Sequence, residues 1–162
     1  SSQLLDCTVS YNDLMPNHNL DRRMKINWET KENIYRDADL ISLHLPLTGL
    51  TKNLITKKEL LMMKKDALII NTSRGGIINE HDLYEVLKKD HLGGVAIDVF
   101  ENEPYNGPLK DIDRCLLTAH MGSMSDDCRI RMEIEATEDV IRFFTKNTLV
   151  GAVPESEYVI SQ

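Results

Sequence analysis

The fold of the chain is decided by one short stretch, Ala67-Leu-Ile-Ile-Asn-Thr72, an almost continuous apolar run that predicts a β-strand. Similar runs lie at 39–44, 94–100 and 114–118, and a β-branched run lies at 7–11. Unbroken apolar strands are typical of parallel sheets that helices cover on both faces. These five runs are therefore the strands of the predicted sheet.

Helical stretches separate the predicted strands. Three of them follow residues that favour a helix N-terminus, namely Thr30, Thr56 and Asn79. A long helix is predicted from about Ser125 to Lys146. The alternation of strands and helices predicts a single α/β domain with a doubly wound parallel sheet.

The last predicted helix is unusually apolar, whereas an ordinary surface helix shows one apolar stripe of about 100°. Two stripes fit a helix that packs on two sides, against a second domain or subunit. A single thick stripe on one core fits equally well. The first stripe is Ile130, Ile134, Thr137, Ile141 and Phe144, and the second is Met132, Ala136, Val140 and Phe143.

Length, charge and cysteine content narrow the class of protein. The chain has 162 residues, with 19 basic and 26 acidic side chains and a net charge of −7. One domain is expected, and nucleic acid or an anionic membrane is a poor partner. No apolar run approaches the ~18 residues of a membrane span.

Cys7, Cys115 and Cys128 show neither zinc nor disulfide spacing, so we expect no metal site and a reduced, cytoplasmic protein.

Ligands of open parallel sheets bind beyond the carboxyl ends of the strands. Arg74, Glu103 and His120 follow three successive predicted strands. Each alone has an ordinary explanation, as a solvated turn residue, a surface acid before a proline and a loop histidine. Together on one edge they suit the chemistry of a 2-oxo or 2-hydroxy acid.

Each of these three side chains has a distinct part in that chemistry. Arg74 can hold a carboxylate with two parallel N–H bonds. His120 can exchange a proton with the hydroxyl or carbonyl oxygen. Glu103, bonded to the far ring nitrogen, sets the tautomer of the histidine. The hydride has to come from a cofactor.

Several motifs of the chain resemble the D-isomer-specific 2-hydroxyacid dehydrogenases, and phosphoglycerate dehydrogenase-like members above all. The likeness runs from about Cys7 to Lys146. Its three main segments are Asn71-Thr-Ser-Arg-Gly-Gly-Ile-Ile-Asn-Glu-His-Asp-Leu83, Gly94-Val-Ala-Ile-Asp-Val-Phe-Glu-Asn-Glu-Pro104 and Leu117-Thr-Ala-His-Met-Gly-Ser123, supported by His44-Leu-Pro-Leu-Thr48 and Thr51-Lys-Asn-Leu-Ile55.

The resemblance implies a Rossmann-type fold, a small 2-hydroxy or 2-oxo acid substrate, and NAD as cofactor, with NADP left open. It places Arg74, Glu103 and His120 on the family's substrate-binding arginine and its acid/base pair. Asp98 would bond the nicotinamide carboxamide, or else be a polar residue that faces a neighbouring loop. The implied cofactor-binding residues are Asn12, Leu45, Pro46, Thr72, Ser73, Arg74, Asp98, His120 and Gly122.

The chain also departs from the family pattern. Its eight glycines form no G-x-G-x-x-G, the loop that cradles a pyrophosphate. Asn12 stands where the family has a ribose-binding Asp, and Ala119 where Pro precedes the histidine. We therefore expect residues 1–146 to be a truncated NAD-binding domain without its first strand, Ser2–Leu5 being the tail of its first helix. Residues 147–162 would return toward a missing substrate domain.

The leading hypothesis is a fragment of an NAD-dependent oxidoreductase that interconverts D-2-hydroxy acids and 2-oxo acids, the fragment alone being inactive. Two other classes stay open: a non-enzymatic, dinucleotide-sensing, corepressor-like binder, and an inactive oligomerising remnant. Because the truncated edge and the two-striped helix leave apolar surface exposed, a homo-oligomer, a dimer or larger, is expected.

Overall fold

A computed structural model describes residues 7–17 and 23–152. The predicted helix tail at Ser2–Leu5 and the residues 153–162 lie outside the described residues. The strands are β1 (Ser10–Tyr11), β2 (Asn27–Trp28), β3 (Leu40–Leu43), β4 (Leu68–Asn71), β5 (Gly94–Ile97) and β6 (Cys115–Leu117). The helices are α1 (Lys31–Asp37), α2 (Lys57–Met62), α3 (Glu80–Leu87) and α4 (Asp126–Lys146), and a 3-10 turn spans Pro108–Asp111.

The main sheet has four parallel strands in the order β3-β4-β5-β6, so chain order and spatial order coincide. In its register Ile41 is opposite Ile69, and Ile69 is opposite Val95. The parallel α/β fold predicted from the apolar runs is thereby confirmed. β5 ends three residues earlier than the predicted strand 94–100, since the chain leaves the sheet there to form the turn that contains Glu103.

A second, two-stranded sheet pairs β1 with β2 in parallel. Among the described strands, β1 pairs with β2 alone and β3 with β4 alone. In a doubly wound sheet the first strand lies between the second and the fourth. The break between the two sheets therefore falls where a first strand would pair, as the missing glycine-rich loop predicts.

Each of the helices α1 to α4 begins where the sequence predicts, because a side chain caps its N-terminus. Thr30, Asn79 and Ser125 each accept a hydrogen bond from a backbone N–H three residues later. At α2 the carboxylate of Glu59 accepts bonds from both the backbone N–H and the hydroxyl of Thr56. Side chains in these positions satisfy backbone donors that a helix leaves unpaired.

The core lies on one face of the main sheet. Ile69 of β4 and Leu83 of α3 are fully buried there. On the opposite face Leu40, Leu68 and Leu116 are 50%, 43% and 66% exposed within the described structure. Among the described α-helices, α1, α2 and α3 contribute buried side chains to this core.

The long helix α4 does not pack against this core, because none of its 21 residues is buried in the described structure. Ile134 and Ile141 are 53% and 57% exposed, and Phe144 is 82% exposed. The alternative of one thick stripe against the core of this domain is therefore wrong. The two apolar stripes remain open to a partner on either side.

Candidate active site

The three predicted catalytic residues meet at one cavity of about 330 Å³ beyond the carboxyl ends of β4, β5 and β6. Arg74 follows β4, Glu103 follows β5 and His120 follows β6, so parallel strand direction brings them to one edge. The remaining lining consists of backbone and side chains from the adjoining loops: Leu47, Lys52, Gly75, Gly76, Val99, Phe100 and Glu101.

Glu103 and His120 form a hydrogen-bonded pair, with 2.9 Å between Glu103 Oε2 and His120 Nδ1. The other carboxylate oxygen, Oε1, accepts the backbone N–H of Phe100 at 3.0 Å. The bond from Phe100, and after it the bond from His120, hold the pKa of Glu103 below its ordinary value, because both stabilise the charged form. Because an ionised carboxylate only accepts hydrogen bonds, Nδ1 of His120 is the donor in this pair, and Glu103 does not engage Nε2.

The loop that carries His120 is held by Asp98. The backbone of His120 has φ of 53°, a left-handed conformation that is costly for a residue other than glycine. Its N–H donates to the carbonyl oxygen of Asp98 at 2.8 Å, and the Met121 N–H donates to the Asp98 carboxylate at 2.9 Å. Thr118 Oγ1 donates to the same carboxylate. Partial burial opposes ionisation, but the bonds from Thr118 and Met121 and the nearby His120 outweigh it and lower the pKa of Asp98.

Asn71 holds the turn that presents Arg74, a role that was not predicted from the sequence. It closes β4 and is 2% exposed. Its Nδ2 donates to the carbonyl oxygen of Arg74 at 3.0 Å, and its Oδ1 accepts the N–H of Ser73 at 3.1 Å and the Ser73 hydroxyl at 2.8 Å. The signal in the sequence was a lone amide at the end of an apolar strand. The exposed guanidinium of Arg74 donates to the Ser73 carbonyl at 2.7 Å.

The Arg74 turn and the Glu103 turn pack backbone against backbone at Gly75. A Cβ atom at this position would lie 2.0 Å from the carbonyl carbon of Phe100 and 2.5 Å from the backbone nitrogen of Glu101. Only glycine permits this approach. The separation between the turn that carries Arg74 and the turn that carries Glu103 is therefore fixed by this backbone contact.

Three of the predicted cofactor residues follow the same strand ends. Thr72 comes after β4, Asp98 after β5 and Gly122 after β6, and a Cβ at Gly122 would meet open space. A hydroxyl, a carboxylate and an open glycine fit the carboxamide end of a nicotinamide, which offers both donors and acceptors. The role of each residue stays a prediction.

The other predicted cofactor residues have structural contacts of their own. Ser73 bonds to Asn71, as described above. Leu45 is half-buried against the core, and the carbonyl oxygen of Pro46 accepts the hydroxyl of Thr51 at 2.6 Å. Neither Leu45 nor Pro46 lines the cavity that holds Arg74.

Asn12 lies at the carboxyl end of β1, in the smaller sheet. Its Nδ2 donates to the carbonyl oxygen of Glu29 at 2.7 Å, which ties together the ends of β1 and β2. Asp13 follows, exposed, and accepts the N–H of Leu14 at 2.7 Å. Asn12 is thus a turn-stabilising residue in this structure, and its contact with a ribose stays a prediction.

Residues 7–17 and 23–152 contain neither a metal-binding cluster nor a membrane-spanning helix. These residues contain no group of three or more His, Cys, Asp or Glu side chains placed to hold a metal ion. No helix among them is both long and apolar enough to cross a membrane.

Comparison with known proteins decides the family. Residues 2–122 match the model of the D-isomer specific 2-hydroxyacid dehydrogenase, NAD binding domain. The chain belongs to this family. The resemblance read from Arg74, Glu103, His120 and their surrounding motifs is confirmed, as are the NAD-binding fold and a family that acts on small hydroxy and oxo acids.

Relatives of this dehydrogenase family match most of the chain. A glyoxylate reductase from Aeropyrum pernix is 33% identical over 137 residues, which cover 83% of this chain and 41% of that protein. A D-3-phosphoglycerate dehydrogenase from Bacillus subtilis is 36% identical over 133 residues, 82% of this chain and 25% of that protein. The solved structure of a glyoxylate reductase from Paecilomyes thermophila has a TM-score of 0.85 and 28% identity, covering 96% of this chain and 47% of that one. The chain thus spans less than half the length of these relatives.

Proposed function

We propose that the chain is the larger part of the NAD-binding domain of an enzyme that interconverts D-2-hydroxy acids and 2-oxo acids. Residues 1–146 are this domain, and residues 147–162 return toward a substrate domain. The observation that carries the proposal is the Glu103–His120 pair, 2.9 Å apart, on the cavity that Arg74 also lines. An oriented histidine beside an arginine is what a 2-oxo acid needs for binding and for proton transfer.

The three residues act in sequence on a bound 2-oxo acid. Arg74 leaves the carbonyl of Ser73 and binds the substrate carboxylate through two N–H groups, which orients the neighbouring carbonyl. His120 donates the proton of Nε2 to the carbonyl oxygen as it becomes a hydroxyl, and Glu103 stabilises the histidine in its charged form. In the reverse direction His120 accepts this proton.

Thr72, Asp98 and Gly122 would hold the nicotinamide end of NAD, and the reduced cofactor would supply the hydride. The sequence contains no G-x-G-x-x-G to hold the pyrophosphate of the cofactor. Full cofactor binding therefore belongs to the intact protein that contains this chain.

We further propose a cytoplasmic location and a homo-oligomer. Cys7, Cys115 and Cys128 are all free thiols, which suits a reducing compartment. The exposed stripes of α4 and the open edges of β1 and β3 leave surface that a second copy can cover. Fractionation of cells that express the tagged protein tests the location.

The decisive experiment follows NADH oxidation by the intact protein with glyoxylate and other small 2-oxo acids. Turnover by the unaltered protein that is lost in Arg74→Ala supports the enzyme. NADH binding without turnover in the unaltered protein supports instead the dinucleotide-sensing, corepressor-like alternative. Absence of both NADH binding and turnover in the unaltered protein supports an inactive remnant.

A further inference from the structure

The turn from Phe100 to Glu103 is held by a side chain from another segment. Glu80 is the first residue of α3, and its Oε1 accepts the backbone N–H of Glu101 at 2.7 Å, across 21 residues of sequence. The preceding N–H, that of Phe100, is bound by Glu103 itself at 3.0 Å. Two successive backbone donors of this turn are therefore each fixed by a carboxylate.

These two bonds constrain where the Glu103 carboxylate can lie. The bond from Glu80 fixes the peptide between Phe100 and Glu101, and Gly75 packs against that same peptide. The neighbouring Phe100 N–H belongs to the peptide that is joined to this one through the Cα of Phe100, so it lies next to the point that Glu80 and Gly75 hold. This N–H binds Oε1 of Glu103, and Oε2 then reaches Nδ1 of His120.

The surroundings of Glu80 are unfavourable for a carboxylate, which argues that its bond has a role. Burial raises the pKa of Glu80, and the nearby charge of Glu101 raises it too, while the Glu101 N–H lowers it. Within the described structure the ion pair in this region joins Glu101 to Lys52, at 3.8 Å between exposed side chains, and does not include Glu80. The Glu101 N–H is therefore the group that compensates the half-buried carboxylate.

We propose that Glu80 is a positioning residue of the active site: by holding the Glu101 N–H, it sets the turn so that Glu103 meets His120. Its importance for catalysis rests on the proposed dehydrogenase function. The structural part of the inference concerns this chain alone and can be measured without substrate or cofactor.

The experiment uses NMR on the 162-residue chain with three variants at this position. Glu80→Ala removes the acceptor. Glu80→Asp keeps the charge but shortens the reach, and Glu80→Gln keeps an acceptor oxygen at the same reach without the charge. The matched control is Glu32→Ala, because Glu32 is also an acid in the first turn of a helix but is exposed.

Two readouts report on the hydrogen bond and on its consequence. In Glu80→Ala and Glu80→Asp we expect the Glu101 amide to exchange at least about tenfold faster. We also expect the pKa of Glu103 to rise toward its ordinary value, since the bond from Phe100 is no longer aligned. Glu80→Gln and Glu32→Ala should match the unaltered chain in both. A variant counts as folded when its β4 and β5 amides stay protected against hydrogen exchange. If Glu80→Ala unfolds, the test rests on Glu80→Asp.

The inference is overturned if the exchange rate of the Glu101 amide and the pKa of Glu103 are unchanged in Glu80→Ala and Glu80→Asp. It is also overturned if Glu80→Gln behaves like Glu80→Ala. In the intact protein, Glu80→Ala should lower kcat by about tenfold or more with little change in KM for NADH, and Glu80→Gln should restore it. If the NMR results are as expected and the intact protein reduces no 2-oxo acid, the positioning role stands and the proposed function fails.

Discussion

His120 and Glu103 lie 17 residues apart in the sequence, yet their side chains meet at 2.9 Å, Nδ1 to Oε2. Both side chains are substantially exposed, at 48% and 36%. An exposed pair of this kind contributes little to stability because solvent screens it. The backbone around it is nevertheless strictly held, with φ of 53° at His120 and the Phe100 N–H bound to Glu103. A side-chain pair that is held in place although it adds little to the stability of the fold indicates a functional role.

Removal of the histidine should abolish most catalysis. In the intact protein we expect His120→Ala to lower kcat for 2-oxo acid reduction by about 10²- to 10⁴-fold, because the proton donor is lost. The control is His81→Ala, which changes an exposed histidine of α3 outside the cavity. Steady-state kinetics over about pH 6 to 8 provide the measurement. A variant with unaltered kcat across this range contradicts the assignment.

The 162-residue chain alone should bind NAD weakly or not at all and should be inactive. The reason is that no glycine-rich loop is present to contact the pyrophosphate through backbone N–H groups. Isothermal titration calorimetry on the chain, with the intact protein as control, measures this directly. Micromolar affinity of the chain for NAD would show that the described strand ends suffice.

The lowered pKa of Asp98 predicts how stability depends on pH. The folded chain keeps this carboxylate ionised to lower pH than the unfolded chain does, so its contribution is complete above the pKa of the unfolded state. It is lost as the pH falls through the lower, folded-state pKa. Asp98→Asn should therefore be less stable near neutral pH and should lose less stability in acid.

Denaturant unfolding from about pH 7 down to pH 3 checks this expectation. The control is Asp37→Asn, at the exposed end of α1. Equal acid sensitivity of Asp98→Asn and the unaltered chain would mean that the bonds from Thr118 and Met121 contribute nothing to the stability of the loop.

The exposed stripes of α4 predict self-association. Sedimentation of the chain should show a dimer or larger species, because contiguous apolar surface of this extent rarely stays open to water. Ile134→Glu, in the middle of one stripe, should shift the distribution toward monomer, whereas Glu133→Gln beside it should not. A clean monomer at high concentration counts against the predicted oligomer.

Asn12 predicts weak discrimination between NAD and NADP in the intact protein. An acid at this position repels a 2′-phosphate by its charge, and asparagine carries none. Asn12→Asp should therefore raise the ratio of kcat/KM for NAD over NADP. The same change removes the donor to the Glu29 carbonyl, so some loss of stability is expected as well. An unchanged ratio would show that Asn12 does not contact the ribose.

Local patterns in the sequence were sufficient for helices α1 to α4, for most of the described strands and for the common edge of Arg74, Glu103 and His120. Thr30, Asn79 and Ser125 cap helices by bonds to residues three positions later, and such short-range interactions are visible in the sequence itself. The edge shared by Arg74 and His120 followed from strand direction alone. The family was recognisable because its motifs consist of consecutive residues.

Other features depend on side chains that are distant in sequence and were settled only by the tertiary structure. β2 is two residues long, too short to show a period. The bond between Glu80 and Glu101 depends on how α3 packs beside the turn after β5, which no local pattern encodes. The exposure of α4 likewise could not be predicted, because an apolar stripe shows that a helix can be buried but does not identify the surface that buries it.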